Sequence, residues 1–475
     1  MTTTLSSLSG TMFKSRKYYI DDYTDYKEIL SLVRTHTVNA GAYKVLSDYY
    51  RGKHIILGRD FDDTSKPNNK LIHNFPKLIV DNSVSYFVGK PISYTGKDKA
   101  LLDKLQEIYD RNNSQTVDSE LAKLSAEFGH SFEVFWIDKL GEIRFKAISP
   151  ENMIMCYSND IEEIPLCAIY YKTVLDTVSH ETLYNCTVYT DKEVIHFTGN
   201  GREVIGQPTI TPHYFGTVPV NEYIANEERT GDFECVLSLI DAYNLSCSDS
   251  VNDINYLNDA YLMLRNLIST DKEDIDDMKN NRVMLVDGDG DAQWLVKNIN
   301  DLHIENIKKR LVEDIHKFSM TPNISDEKFA SNLSGVAISY KLNSLESKTA
   351  VKERYFSIAL RRRIEIITNI LNKEDSVGYR PHEIYPTFTR NIAQNLSEIV
   401  QTVVSLQDIV PNEELLPLLD FIDDPEEAMR LLDQEREKNL ERGYGEFNLG
   451  FNNVSEGNKQ FREEDTKDIQ TSQEG

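Results

Sequence analysis

Cysteine is scarce in this chain, with five residues in a length of 475. They are Cys156, Cys167, Cys186, Cys235 and Cys247, and no two of them form the Cys-x-x-Cys spacing of redox and zinc sites. An odd number at wide spacing is not the pattern of a disulfide framework. We therefore expect reduced thiols, as in a cytosol-like compartment.

Positive charge is also in deficit. Lys and Arg total 52 against 77 Asp and Glu, which gives a formal net charge of -25. Tight binding to a nucleic-acid backbone depends on cationic side chains that displace counterions, so this balance argues against such a function. It does not exclude DNA as a partner that is contacted only weakly.

Long apolar runs are missing too. No segment is apolar enough to cross a bilayer, and no apolar stretch follows the basic residues Lys14, Arg16 and Lys17. We therefore expect no secretory signal and no membrane partner, but a soluble protein made in the cytoplasm. Hydrophobic residues at 40% and aromatic residues at 10% favour a folded chain, long enough for two or three structural regions.

Motifs for nucleotide and metal chemistry are absent. The Gly-Lys pairs at residues 52–53 and 89–90 lack the earlier glycine and the following Ser or Thr of a phosphate-binding loop. Residues 287–291 (DGDGD) resemble part of a calcium loop, but Ala292 and Asn298 stand where that loop needs Gly and Glu. We interpret the segment as an acidic hairpin turn and expect no catalytic residue, no metal and no cofactor.

The periodicity that is present predicts an α+β protein. Apolar residues at three-to-four spacing predict helices over residues 22–50, 75–87, 100–109 and 119–128. From residue 130 to residue 220 the period changes to two, which predicts a mainly β region. These strands are too unevenly spaced to specify a barrel or a sandwich.

The most regular segment is an apolar stripe that steps alternately by four and three residues. Its members are Val236, Ile240, Tyr243, Cys247, Ser250, Ile254, Leu257, Tyr261 and Leu264. Such a stripe predicts one long helix that packs on one side and faces water on the other. A bundle or coiled-coil helix and a pore-lining helix both fit this pattern.

The second half of the chain is predicted to be largely helical after a hairpin. Residues 282–286 and 294–296 predict two strands joined by the acidic turn, and residues 302–318 predict a helix that Pro322 ends. A polar loop over residues 323–334 and a very long helix from residue 335 to about 371 follow. Helices are predicted again between residues 392 and 439, and the segment from residue 441 is expected to be disordered.

Two segments carry opposite charge. Residues 226–280 contain thirteen acidic and four basic side chains, whereas residues 335–371 contain seven basic and three acidic ones. Two interpretations stay open: solvated helix faces, and complementary surfaces of neighbouring subunits in a closed ring.

Several segments together resemble the portal proteins of tailed bacteriophages, in particular of siphophages that infect Gram-positive bacteria. They are residues 44–53 (KVLSDYYRGK), 74–75 (NF), 86–94 (YFVGKPISY), 226–234 (NEERTGDFE), 239–244 (LIDAYN), 318–323 (FSMTPN), 334–337 (SGVA), 361–363 (RRR) and 389–391 (TRN). No single motif is specific, but their order and spacing are, and they cover roughly residues 40 to 435.

The resemblance implies a portal-protein fold that assembles into a ring of twelve subunits around a DNA channel. It divides the chain into a wing (1–230), a stem helix (231–265), a clip with a β-hairpin (266–300), a second stem helix (301–320) and a tunnel loop (321–335). A long wing-base helix (336–388), a crown (389–440) and a disordered tail (441–475) complete it.

The resemblance also implies roles for individual residues. The tunnel loop would contact DNA through Lys328, Asn323, Ser325, Ser331 and Asn332. The clip would present Asp271, Asp274, Asp287, Asp289, Asp291 and Trp294 to the packaging terminase and to head-completion proteins. Contacts between subunits would involve Val236, Ile240, Tyr243, Ile254, Leu257, Arg361, Arg362 and Arg363.

The implied function is passage of viral double-stranded DNA during packaging, retention and ejection, at one vertex of the capsid. The implied partners are further copies of the chain, the large terminase subunit, a head-completion or adaptor protein, and the major capsid and scaffolding proteins. The implied location is the virion, with assembly in the host cytoplasm. An alternative from another class is a cytoplasmic enzyme or nucleotide-driven translocase whose site no motif reveals.

Overall fold

The computed structural model describes residues 16–61, 67–175, 180–257, 261–265, 291–295, 301–323, 335–391, 396–406, 409–411, 415 and 428–434. The chain divides into two compact units, residues 1–392 and residues 393–475. The described residues mix helices and strands, as expected for an α+β protein. None of their helices is both long and apolar enough to span a membrane.

The N-terminal part of the first unit contains the helices α1 (Tyr26–Tyr50), α2 (Phe75–Val88), α3 (Lys99–Asn112) and α4 (Ser114–Phe128). Side-chain oxygens of Asp25, Asn74 and Asp98 accept hydrogen bonds from backbone N–H groups in the first turns of α1, α2 and α3. Gly129 ends α4 with a φ of +86°. All four predicted N-terminal helices are therefore confirmed, with shifts at their ends.

Ten strands are described between Tyr18 and Ile224. They are β1 (Tyr18–Tyr19), β2 (Ser93–Gly96), β3 (His130–Ile137), β4 (Ile143–Ile148), β5 (Met153–Tyr157), β6 (Pro165–Leu175), β7 (Thr182–Tyr189), β8 (Glu193–Gly199), β9 (Val204–Pro212) and β10 (Val220–Ile224). The largest sheet has the order β1-β5-β6-β7-β8-β9, and a smaller one has the order β10-β3-β4. All neighbours are antiparallel except β1 and β5, which are parallel. The predicted β region is confirmed and ends four residues later than expected.

The remaining elements of the first unit are α5 (Leu237–Leu257), β11 (Tyr261–Arg265), β12 (Asp291–Leu295), α6 (Asp301–Phe318), α7 (Gly335–Asp375) and β13 (Ile384–Thr387). Strand β13 pairs with β2, and β11 pairs with β12. In the second unit, α8 spans Leu396–Leu406. Helices α6 and α7 lie where the sequence predicts them.

The stripe of alternating four and three steps is not one helix along its whole length. Helix α5 ends at Leu257, and Tyr261 and Leu264 lie in strand β11, which pairs antiparallel with β12. The predicted helix to residue 264 is therefore wrong at its end. A short apolar run fits a strand as well as a helix, and here a strand distant in sequence supplies the pairing.

Helix α7 connects the cores of the first unit. Its Phe356 and Leu360 pack with residues of α2, α4 and β10, whereas Ile364 and Ile367 pack with residues of α3 and the β3–β4 hairpin. A separate core lies between α1 and the largest sheet, around Ile29. The long helix thus joins both the helical and the β part of the unit through buried apolar contacts.

Candidate functional site: the stem helices and the segments they hold

One face of the start of α5, together with Val236 directly before it, is buried inside the chain. Val236 and Ile240 have no exposed surface and pack with residues of α1, α2 and α4, and with Ile315 of α6. Tyr243 is partly buried against the same cluster. Because their side chains contact the chain itself, Val236 and Ile240 are not available to a neighbouring subunit, which corrects this part of the expectation.

The later part of α5 and much of α6 have side chains that are more exposed to solvent. Helices α5 and α6 pack on each other, yet Ile254 is 59% exposed and Leu302 is 74% exposed. Ile307 and Phe318 of α6 are also exposed. Leu257 is the last residue of α5. Contacts between subunits through Ile254, Tyr243 and Leu257 stay a prediction.

The region between the two stem helices contains a β-pair whose register differs from the predicted one. Asp291 is the first residue of β12 and lies opposite Arg265, and Trp294 lies opposite Leu262. The predicted turn over residues 287–291 is therefore too long by at least one residue. Asp271, Asp274, Asp287 and Asp289, together with the predicted strand 282–286, lie outside the described residues.

The start of the predicted tunnel loop is tied to α7. After α6 the backbone turns through Met320, whose φ is +54°, and the N–H of Thr321 donates to the carbonyl oxygen of His316 (3.1 Å). Lys348 of α7 donates to the carbonyl oxygen of Ser319 (2.8 Å). Asn323 is the last described residue of this segment, and Ser325, Lys328, Ser331 and Asn332 lie outside the described residues.

Lys348 belongs to a buried charge cluster that the sequence reasoning missed. Asp232 lies 2.5 Å from Nζ of Lys352 and 3.6 Å from Nζ of Lys348, and Lys352 also donates to the Ser83 hydroxyl (3.0 Å). Burial opposes ionisation of Asp232, but the two lysines hold its pKa below the ordinary value. Burial lowers the pKa of Lys352 to about 8, and Asp232 acts in the opposite direction.

This cluster tests the two interpretations of the oppositely charged segments. The acidic segment 226–280 meets the basic helix α7 at Asp232 within one chain. That contact is neither a solvated face nor a contact between subunits, so both interpretations fail for Asp232, Lys348 and Lys352. Local sequence patterns could not predict this ion pair, because Asp232 and Lys352 are 120 residues apart in sequence.

The three consecutive arginines of α7 have three different environments. Arg361 is exposed and lies 5.2 Å from the centre of the Tyr385 ring. Arg362 is half-buried. Arg363 is completely buried, 2.6 Å from Asp118 and 2.8 Å from Glu133. The predicted contact with a neighbouring subunit is therefore wrong for Arg363, because its guanidinium is held inside the chain.

The segment that leads into α5 is held by a second buried network. Glu222 of β10 lies 2.9 Å from Nε of Arg229 and 2.6 Å from Nδ1 of His130. Burial raises the pKa of Glu222, but Arg229 and His130 outweigh it and keep the carboxyl ionised. Arg16 lies 2.8 Å from Glu234. These ion pairs explain why the 226–234 motif contains charges next to the stem.

A third network fixes the segment after β13. Arg390 lies 2.8 Å from Glu346 and 2.6 Å from Glu353, both on α7. The two carboxylates raise the pKa of Arg390. The motif at residues 389–391 therefore attaches this segment to the long helix.

Metal chemistry has no support in the described part of the chain. No group of three or more His, Cys, Asp or Glu residues there is placed to hold a metal ion. The buried clusters are instead ion pairs that join α7, the stem and the sheets.

Comparison with known proteins gives the same family throughout. Residues 31–442 match the model of the family described as phage portal protein, SPP1 Gp6-like. The chain is 26% identical over 398 residues to the portal protein of Bacillus phage SPP1, covering 80% of this chain and 78% of that protein. It is 23% identical over 428 residues to the portal protein of Clostridium phage phiCD119, covering 84% and 94%. The chain belongs to the SPP1 Gp6-like family of phage portal proteins.

Proposed function

We propose that this portal protein forms a closed ring of twelve subunits at one vertex of the capsid, around the channel through which double-stranded DNA passes. The observation that carries the proposal is the family match over residues 31–442. Ring closure requires a heterologous interface, in which two different surfaces of each subunit meet. The exposed apolar side chains of Ile254, Leu302 and Phe318 on the stem helices supply surface for such contacts.

The charge balance suits a passive channel. A net charge of -25 disfavours tight phosphate contacts, which would stall DNA that has to slide. Within that background, Lys328 would be the cation of the loop between α6 and α7. Lys348 of α7 donates to the carbonyl oxygen of Ser319, so the chain that leads into this loop is attached to α7.

The clip, between α5 and α6, would dock the large terminase subunit during packaging and a head-completion or adaptor protein afterwards. Major capsid and scaffolding proteins would surround the ring in the head. Such a ring would assemble in the host cytoplasm and remain in the virion. In this scheme the terminase supplies the work of packaging, and the ring retains and releases the DNA.

A charge reversal in the loop tests the role in packaging. We expect Lys328→Glu to form rings as the parent chain does but to reduce the DNA taken up in a head-filling assay with terminase, because a negative ring would face the phosphates. Lys139→Glu makes the same charge change in the exposed β3–β4 turn and should package normally. Equal DNA uptake by Lys328→Glu and the parent would refute the role of Lys328.

A further inference from the structure

A cavity of about 140 Å³ lies between the two sheets and α7. Its charged lining residues are Glu222 and Arg229 of the buried network and Arg362 of α7, and its other lining residues include Tyr355 and Ile358. Ile358, one of these lining residues, is 65% exposed. The cavity is therefore open to an occupant from outside the subunit.

Arg362 is the unbalanced charge of this cavity. Glu222 and Arg229 neutralise each other at 2.9 Å, so Arg362 leaves a surplus of one positive charge. The hydrogen bond of its guanidinium is a long one, 3.4 Å to the hydroxyl of Thr217. Among the residues that the structure describes, no carboxylate lies within ion-pair distance of Arg362.

Within the described part of the unit, Arg362 differs from other buried arginines in its lack of an ion-pair partner. Carboxylates raise the pKa of Arg229, Arg363 and Arg390 despite their burial. For Arg362, burial lowers the pKa, and the carboxylate of Glu365 on the same helix, which forms no ion pair with it, offsets this shift only in part. A guanidinium that is partly removed from water without an anion in direct contact is destabilising, and a carboxylate is the partner that its planar fork fits.

We propose that this cavity receives an acidic side chain of the neighbouring copy of the chain and that Arg362 pairs with it. The inference rests on the proposed ring. A second copy fits better than a free anion because exposed Ile358 needs an apolar cover at the same place. The chain also has an excess of acidic side chains, 77 against 52 basic ones, with which to supply the carboxylate.

Sedimentation velocity over a dilution series tests the proposal on the full chain. We expect Arg362→Gln to need at least a tenfold higher protein concentration than the parent to form rings, because each interface loses a charged hydrogen bond. Arg362→Lys keeps the charge and should retain most of the assembly. Arg202→Gln removes an exposed arginine between β8 and β9, to which no contact between subunits is assigned, and should assemble as the parent does. Circular dichroism and thermal melting verify that each variant is folded.

The outcomes separate this inference from the proposed function. If the parent forms rings and folded Arg362→Gln forms them at the same concentration, the inference is wrong and the ring stands. If the parent forms no ring at any concentration, both are wrong.

A photo-crosslinking side chain introduced at Ile358 identifies the occupant. We expect covalent dimers on a denaturing gel, with the label joined to a peptide of a second copy that contains Asp or Glu. Labelling confined to the same copy, for instance to the acidic segment 441–475, would overturn the proposal.

Discussion

Removal of Arg363 should be among the most damaging single changes in the first unit. Its guanidinium is fully buried between Asp118 and Glu133 and lies 5.0 Å from the centre of the Phe145 ring. Arg363→Met fills similar space but leaves two carboxylates without a counter-charge. Breaking a buried ion pair in this way costs about 3–5 kcal/mol, or a loss of roughly two to three and a half powers of ten in the folded-to-unfolded ratio.

Urea unfolding followed by the fluorescence of Trp136 measures this effect, because Trp136 lies in β3, the strand that contains Glu133. A Trp294→Phe background removes the other tryptophan. The triple variant with Asp118→Asn and Glu133→Gln should recover at least half of the loss, since no buried charge is left in this cluster. A free energy of unfolding for Arg363→Met that is within about 1 kcal/mol of the parent value would refute the reasoning.

Because burial raises the pKa of Asp118 and of Glu133 and Arg363 opposes that shift, the single variant should also respond to pH. Without Arg363 the folded state holds protons on these carboxyls that the unfolded state has released. The deficit of Arg363→Met should therefore shrink as the pH falls from 8 towards 5. A deficit that is the same at both pH values would contradict this account.

Two further predictions concern the end of α4. Gly129→Ala should lower the free energy of unfolding by about 2 kcal/mol or more, because a Cβ there would overlap the carbonyl oxygen of Arg229. The control Gly141→Ala has a similar positive φ but open space around it, and should lower the free energy of unfolding by about 1 kcal/mol. Equal losses for the two variants in urea unfolding would contradict the steric argument. Burial raises the pKa of Glu127 to about 7, so its folded-state pKa exceeds the unfolded value and ionisation above pH 7 is destabilising. Between pH 5 and pH 8, the free energy of unfolding of Glu127→Gln should rise relative to that of the parent by up to about 3 kcal/mol. The control Glu120→Gln, at an exposed position of α4, should show no such rise. A difference between Glu127→Gln and the parent that does not depend on pH would refute the raised pKa of Glu127.

The boundaries of the regular elements could be predicted where local chemistry decides them. Helix α4 ends at Gly129 and α6 precedes Pro322, as the sequence indicates. The strand at Tyr261–Arg265 could not be separated from the α5 stripe, because its apolar residues fit both periods and its partner β12 is separated from it by a gap of more than twenty residues.

The environments of charged residues were the least predictable feature. Arg361, Arg362 and Arg363 form one basic run in the sequence, but successive residues of a helix point about 100° apart, so only one of them reaches the buried carboxylates. The partners of Arg363 lie up to 245 positions earlier in the chain. Such pairings follow from tertiary packing, which local patterns do not report.

The central claim is that this portal protein assembles as a closed ring around a channel. Electron microscopy of the purified, negatively stained chain, together with native mass spectrometry, tests it most directly. We expect ring-shaped particles with a central opening and a mass that is an integral multiple of 54.6 kDa. A stable monomer at every salt and protein concentration would contradict the account.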